Sequence, residues 1–193
     1  MNIFHSLILG AVEGVTEFLP ISSTGHLILT SHLLRLSEND VLKTFEISIQ
    51  FAAILAVAAL YWKILSGNFA IIKKIIVGFI PTGILGLLLH SLVKKYLLGS
   101  EIVVLWSLFL GGVAILMFER WYAENKAAEG VMVGQISYQQ AALVGLFQSI
   151  AMIPGVSRSA ATILGGLLLG LPRKTAVEFS FLLAVPTMAA ATG

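Results

Sequence analysis

Two apolar stretches of this chain break halfway, and both break in the same way. The first runs from Ile3 to Leu19, meets Pro20, and resumes over Leu27–Leu34 after Ile21-Ser22-Ser23-Thr24-Gly25-His26. The second runs from Tyr138 to Ile153, meets Pro154-Gly155, and resumes over Ala160–Leu171 after Val156-Ser157-Arg158-Ser159. A helix rises about 1.5 Å per residue, so crossing a hydrocarbon core of about 30 Å takes about 20 residues. Neither half of either stretch reaches that length. The pattern predicts two re-entrant helical hairpins, each entering and leaving a membrane on one side. Irregular backbone at that depth requires a surround of protein or a wet cavity.

Composition makes the membrane the expected solvent. The 193 residues are 58% hydrophobic and 11% charged, against about a quarter charged in soluble domains. Further apolar segments lie at Phe45–Trp62, Ile75–Leu89, Ile102–Phe118 and Val177–Ala191, with polar connectors between them. The expectation is an all-α polytopic membrane protein. A net charge of +2, with no basic run longer than a pair, gives no footing for nucleic acid. The absence of cysteine excludes disulfides, thiolate metal sites and a cysteine nucleophile. Glu13 and Glu17 interrupt the first apolar stretch, which argues against a cleaved signal peptide.

The two broken stretches also resemble each other. A shift of 135 positions places Gly10 on Gly145, Glu13 on Gln148, Ile21 on Val156 and Ser22 on Ser157. Three spans separate the hairpins, so the second enters from the opposite face. This is an inverted-topology repeat, an arrangement that puts binding sites where two broken elements meet. The expected units are 1–135, with a hairpin at about 3–34 and then three spans, and 136–193, with a hairpin at about 138–171 and then one span. A second unit of full length would run to about residue 265–270, so the sequence reads as lacking two final spans. The face carrying Lys63, Lys73, Lys74, Arg120, Lys126, Arg173 and Lys174 is richer in basic residues than the face carrying Arg35, Lys43, Lys94 and Lys95. The positive-inside rule makes the richer face cytoplasmic.

Ionisable groups in such surroundings cost several kcal/mol unless paired or hydrated, so they mark a functional site. Glu13 and Glu17, four apart, share a helix face. Two ionised carboxylates that close repel, so one is protonated or a cation sits between them. A hard divalent ion, Mg²⁺ or Ca²⁺, suits carboxylate oxygens; a pair of merely structural carboxylates is the plainer alternative. Ser22, Ser23 and Thr24 precede one short helix, and Ser157, Arg158 and Ser159 open another. Their side chains can cap those helices and leave backbone N–H groups aimed at an anion. Arg158 offers a planar fork that fits phosphate oxygens; the structural alternative is an Arg–Glu pair. His26 can exchange protons near neutral pH. Glu46, Gln50 and Glu178 can line or brace the cavity, while His5, His32 and His90 sit near segment ends. A membrane transporter or flippase of an anionic lipid would also use broken helices and an arginine. The carboxylates beside Ser23 and His26 favour chemistry over translocation.

The run from Glu13 to His26, Glu-Gly-Val-Thr-Glu-Phe-Leu-Pro-Ile-Ser-Ser-Thr-Gly-His, resembles the first signature of the undecaprenyl-diphosphate phosphatases of the bacitracin-resistance type. Pro154-Gly-Val-Ser-Arg-Ser-Ala-Ala-Thr162 is similar to the second. The resemblance covers essentially the whole chain, although members of that family are longer. It implies an inverted repeat with two re-entrant hairpins in the bacterial cytoplasmic membrane. It also implies hydrolysis of the lipid-carrier diphosphate of cell-wall synthesis to the monophosphate, with a divalent cation, and resistance to bacitracin. The implied functional positions are Glu13 and Glu17, Ser22 and Ser23, His26 and Arg158. Expected roles are catalysis for Glu17, Ser23, His26 and Arg158, phosphate binding for Ser22, Thr24, Ser157, Arg158 and Ser159, and metal binding for Glu13 and Glu17. Expected partners are a prenyl diphosphate and membrane lipid, with no nucleic acid; the sequence leaves a homodimer open.

Overall fold

The computed structural model describes residues 1–37, 39–97, 100–122 and 130–192. Lys126, counted above among the basic residues, lies outside them. Among the described residues every regular element is helical: α1 (Ile3–Thr16), α2 (Ser23–Leu33), α3 (Asp40–Leu60), α4 (Trp62–Gly67), α5 (Phe69–Tyr96), α6 (Glu101–Trp121), α7 (Tyr138–Gln148), α8 (Arg158–Leu168) and α9 (Arg173–Thr192). Short polar residues set most helix starts by accepting a hydrogen bond from an otherwise unpaired backbone N–H. Asn2 caps α1, Asn39 caps α3, Asn68 caps α5 and Ser100 caps α6. Ser137 caps α7, and Gln140 reaches back to the Ser137 N–H at 3.0 Å to close a capping box.

Three helices are long and apolar enough to cross a membrane: Asp40–Leu60, Phe69–Val93 and Ile102–Trp121. α9 is of similar length, 20 residues, and Arg173, Lys174 and Glu178 lower its mean hydropathy. α5 is much longer than the apolar run Ile75–Leu89 suggests. It extends to 28 residues and carries Pro81 inside, since Ala70, Lys73, Lys74, Leu92 and Lys95 beyond that run are good helix formers. The second broken stretch gives way earlier than expected. α7 ends at Gln148, and a 3₁₀ turn over Ser149–Met152 precedes Pro154.

The interior has two centres. Ile71 and Ile75 of α5, Ala141 and Val144 of α7, Ile163 and Leu167 of α8, and Phe179, Leu182 and Leu183 of α9 form the larger one. Leu9 of α1, Leu27 of α2 and Leu42 of α3 form the smaller. The packing of α3 on α9 joins them. Most of α6 faces outward: Trp106, Phe109, Leu116 and Met117 are exposed. In a bilayer that face meets lipid tails and carries no penalty.

Glycines set several close approaches among the described residues, three of which bear on the site. A Cβ on Gly145 of α7 would lie 1.8 Å from the Gly78 carbonyl oxygen of α5, so these two backbones touch directly. Gly155 sits at φ +91 in the second loop, where a Cβ would lie 2.7 Å from the Val104 carbonyl oxygen of α6. A Cβ on Gly25 in α2 would meet Leu108 of α6 at 2.7 Å. Both broken segments therefore rest on α6. Gly166 and Gly170, four apart in sequence and so a candidate small-residue face, differ in their surroundings. Gly166 packs near Ala176, whereas Gly170 lies beyond α8 at φ +79 with open space around it, a helix-ending position that favours glycine.

Gly145→Val would force α5 and α7 apart. Overpacking of this kind costs about 1–3 kcal/mol or more, so the variant should melt well below the parent in detergent. Gly14→Ala, where a Cβ meets nothing within 4 Å, should stay within about 1 kcal/mol of the parent in the same thermal scan.

Candidate active site

Each broken stretch turns on a serine. Ser22 is the N-cap of α2 and adopts φ 64, a conformation uncommon for a residue with a side chain. Its hydroxyl accepts from the Gly25 N–H at 3.4 Å. Ser157 is the N-cap of α8 and accepts from the Ala160 N–H at 3.2 Å. The starts of α2 and α8 line one cavity of about 230 Å³, together with Glu17, Gln50 and Met188. Two helix N-termini with their partial positive charge therefore border a single hollow.

One ion pair holds this hollow together. Nη2 of Arg158 donates to Oε1 of Glu17 at 2.6 Å, across 141 positions of sequence. The two side chains are 13% and 8% exposed. Oε2 of the same carboxylate accepts from the Ser23 hydroxyl at 2.5 Å. Arg158 is further fixed by α9: Nη1 donates to the Ser180 carbonyl at 3.1 Å, and Nη2 lies 3.6 Å from the Met188 sulfur. Ser180 is held in turn by a 2.6 Å contact between its hydroxyl and that of Thr162, both fully buried. The Ser159 hydroxyl ties the loops a second time, donating to the Leu19 carbonyl at 2.8 Å. Arg158 Nε is buried with no hydrogen-bond partner among the described residues.

Ser22, Ser23, Thr24, Glu17, Ser157, Arg158 and Ser159 thus all border the same hollow. Two expected site residues stand apart from it. Glu13, one helical turn before Glu17, is 1% exposed and does not line the cavity, and both of its carboxylate oxygens are buried without a partner among the described residues. His26 faces a different cavity. Its Nδ1 lies 2.9 Å from the Ser22 carbonyl oxygen. A carbonyl only accepts, so Nδ1 carries the hydrogen and Nε2 is left to exchange a proton.

That second cavity is larger, about 910 Å³, and mostly apolar. Leu108, Ile115, Phe147 and Leu164 contribute to its wall. Ser22, Val156 and Ser157 border both cavities, so an apolar groove and a polar hollow meet at the two serine caps. Sequence reasoning missed Ser180 and Met188, the α9 partners of Arg158. Ser180 had a signal, a hydroxyl within an apolar run, but Met188 had none. It also missed the wall that α6 lends to the larger cavity. Gly111 and Gly112 of α6 line that cavity, and a Cβ on either would meet nothing within 4 Å.

Comparison with known proteins agrees along the full chain. Residues 6–193 match the family described as bacitracin resistance protein BacA. The chain is 55% identical to the undecaprenyl-diphosphatase of Aquifex aeolicus over 192 residues, covering 100% of this chain and 74% of that protein. It is 54% identical to the undecaprenyl-diphosphatase of Wolinella succinogenes over 193 residues, with the same coverage. The protein of that name from Campylobacter fetus is 45% identical over 193 residues, again covering 100% of this chain and 74% of the relative. With the family matched over nearly all of its length, the chain belongs to the BacA family of bacitracin resistance proteins.

Proposed function

We propose that this protein is an integral-membrane phosphatase that hydrolyses undecaprenyl diphosphate to undecaprenyl phosphate and phosphate. Recycling the carrier in this way supports cell-wall synthesis and counters bacitracin. The observation that carries the reading is the Arg158–Glu17–Ser23 chain of hydrogen bonds at the junction of a polar hollow and an apolar groove. A prenyl diphosphate has the matching form, a compact polyanion on a long apolar tail.

The site lies in a multi-pass protein of the bacterial cytoplasmic membrane, with lipid as its surround. Its frame is an inverted repeat of units 1–135 and 136–193, each opened by a re-entrant hairpin. Helix lengths support this. α1 and α2 have 14 and 11 residues, and α7 and α8 have 11 each, and at about 1.5 Å per residue none spans about 30 Å. A homodimer is compatible with the exposed face of α6.

In the proposed mechanism the terminal phosphate enters the hollow beside the N-termini of α2 and α8. Ser22, Thr24, Ser157 and Ser159 supply hydroxyl and backbone donors. Arg158 stabilises charge that develops on the phosphoryl oxygens, and its unpartnered Nε leaves a donor to spare. Ser23 Oγ attacks the terminal phosphorus while its proton passes to Glu17. The bond from phosphorus to the bridging oxygen breaks, and the prenyl monophosphate leaves. Water then attacks the phosphoserine where the hollow meets the apolar groove; His26, which lines that groove, takes its proton and passes it to solvent, and Glu17 returns the first proton to Ser23. Phosphate departs.

A divalent cation would be held by Glu13 and Glu17, one helical turn apart, although Glu17 already pairs with Arg158 and Ser23 and Glu13 does not border the hollow. Glu13 holds two buried carboxylate oxygens without partners, and a hard cation is the natural partner for them. Among the described residues no group of three or more His, Asp or Glu side chains could hold a metal. Glu13 and Glu17 would offer hard oxygen ligands to either Mg²⁺ or Ca²⁺. When bound, the cation neutralises diphosphate charge.

Phosphate release from undecaprenyl diphosphate in detergent tests the reading directly, because no gradient exists there to drive a transporter. Arg158→Ala should lower kcat by at least about 10³-fold, and normal turnover in that variant would refute the role of Arg158. Ser23→Ala should lose turnover and also fail to yield a phosphorylated protein on acid quench; undiminished hydrolysis would assign the attack to water. Chelation of divalent ions should abolish turnover and Mg²⁺ should restore it, whereas Glu13→Gln should raise the Mg²⁺ concentration needed for half-activity by about 10-fold or more.

A further inference from the structure

Behind the hollow lies a buried polar cluster that the mechanism above does not use. Gln148, the last residue of α7, is 1% exposed. Its Nε2 donates to Thr82 Oγ1 of α5 at 2.9 Å and to Thr187 Oγ1 of α9 at 3.0 Å. Both hydroxyl protons are already committed. Thr82 donates to the Gly145 carbonyl at 2.7 Å, and Thr187 donates to the Leu183 carbonyl at 2.7 Å. The two hydroxyls can therefore only accept from Gln148, which settles the orientation of its amide group. Oε1 then points away from both threonines, and it has no hydrogen-bond partner among the described residues.

Each threonine directly follows a proline inside a helix, Pro81 in α5 and Pro186 in α9. A helix-interior proline removes one backbone hydrogen bond and marks the place where a helix bends. Gln148 thus ties α5 and α9 together, each one residue after its proline. On α9 that point lies between Ser180 and Met188, the two residues that hold the Arg158 guanidinium from behind. A change in the bend of α9 would move those two contacts relative to each other.

We propose that Gln148 is a positioning residue. Through Thr82 and Thr187 it fixes the bend of α9 and so the aim of Arg158 at the phosphate. The assignment rests on the phosphatase reading above. It makes Gln148 part of the reaction although it lines neither cavity.

The test is steady-state hydrolysis of undecaprenyl diphosphate in detergent by the full chain. Gln148→Met keeps the length of the side chain and removes both donors. It should lower kcat by about 10- to 100-fold with KM within about two-fold, as expected when a reacting group is misplaced by a fraction of an ångström to an ångström. Thr187→Val should show the same split, and Thr187→Ser, which keeps the hydroxyl, should recover most of that loss. Gln148→Met combined with Thr187→Val should be little worse than either alone, because the two act as one unit. Thr187→Val keeps side-chain volume and carries the test should Gln148→Met not remain monodisperse. A lowered melting temperature with kcat unchanged would reduce Gln148 to a structural residue and overturn the assignment. Parent protein that releases no phosphate would overturn the phosphatase reading, and this assignment with it. Parent turnover matched by Gln148→Met would overturn the assignment alone.

Discussion

The ion pair between Glu17 and Arg158 is the contact on which the rest of the site depends. Neither charge could stay where it is without the other. A buried ion pays heavily for leaving water, and removing one partner strands the other at a cost of about 3–5 kcal/mol. Such a pair is a poor source of net stability and a good source of specificity. Here it selects the one arrangement in which two loops from distant parts of the chain face each other. The remaining contacts follow from that choice. Ser159 reaches Leu19, Ser23 reaches the free side of the Glu17 carboxylate, and α9 closes behind the guanidinium.

The same pair gives the proposed site a resting state. With no phosphate present, Glu17 supplies the negative charge that Arg158 requires. In the proposed mechanism an entering diphosphate would compete with Glu17 for the guanidinium. Displacement of Arg158 from part of the carboxylate would leave Ser23 as its hydrogen-bonded partner. Substrate arrival and activation of the proposed nucleophile would then be one event. This coupling needs no large movement, since every group involved already borders the same hollow.

Much of this was legible in the sequence, for a physical reason. A polar group in apolar surroundings must have a partner or a task, so Glu17, Ser22, Ser23, Ser157, Arg158 and Ser159 could be picked out singly, and the structure brings them to one cavity. The caps at Ser22 and Ser157 were equally readable, because capping is local chemistry. What could not be read is rotation. A soluble helix shows its buried side by contrast with a charged one. In a membrane the outer face is as apolar as the packed face, and the contrast fades. Nothing in the pattern could therefore tell that His26 turns to the apolar groove, that Glu13 stays clear of the hollow, or that Met188 rather than a neighbour meets Arg158. The length of α5 was underestimated for a related reason, since a segment can remain helical well past the end of its apolar run.

The contact of Gly78 with Gly145 has a consequence for how such a molecule can move. Helices usually meet through a layer of side chains, and that layer lets one slide on the other by small changes of rotamer. Here main chain lies directly on main chain, so there is no lubricating layer. The seam between α5 and α7 acts as a keel. Freedom to slide is left to places where side chains intervene, as where Leu108 of α6 covers Gly25 of α2.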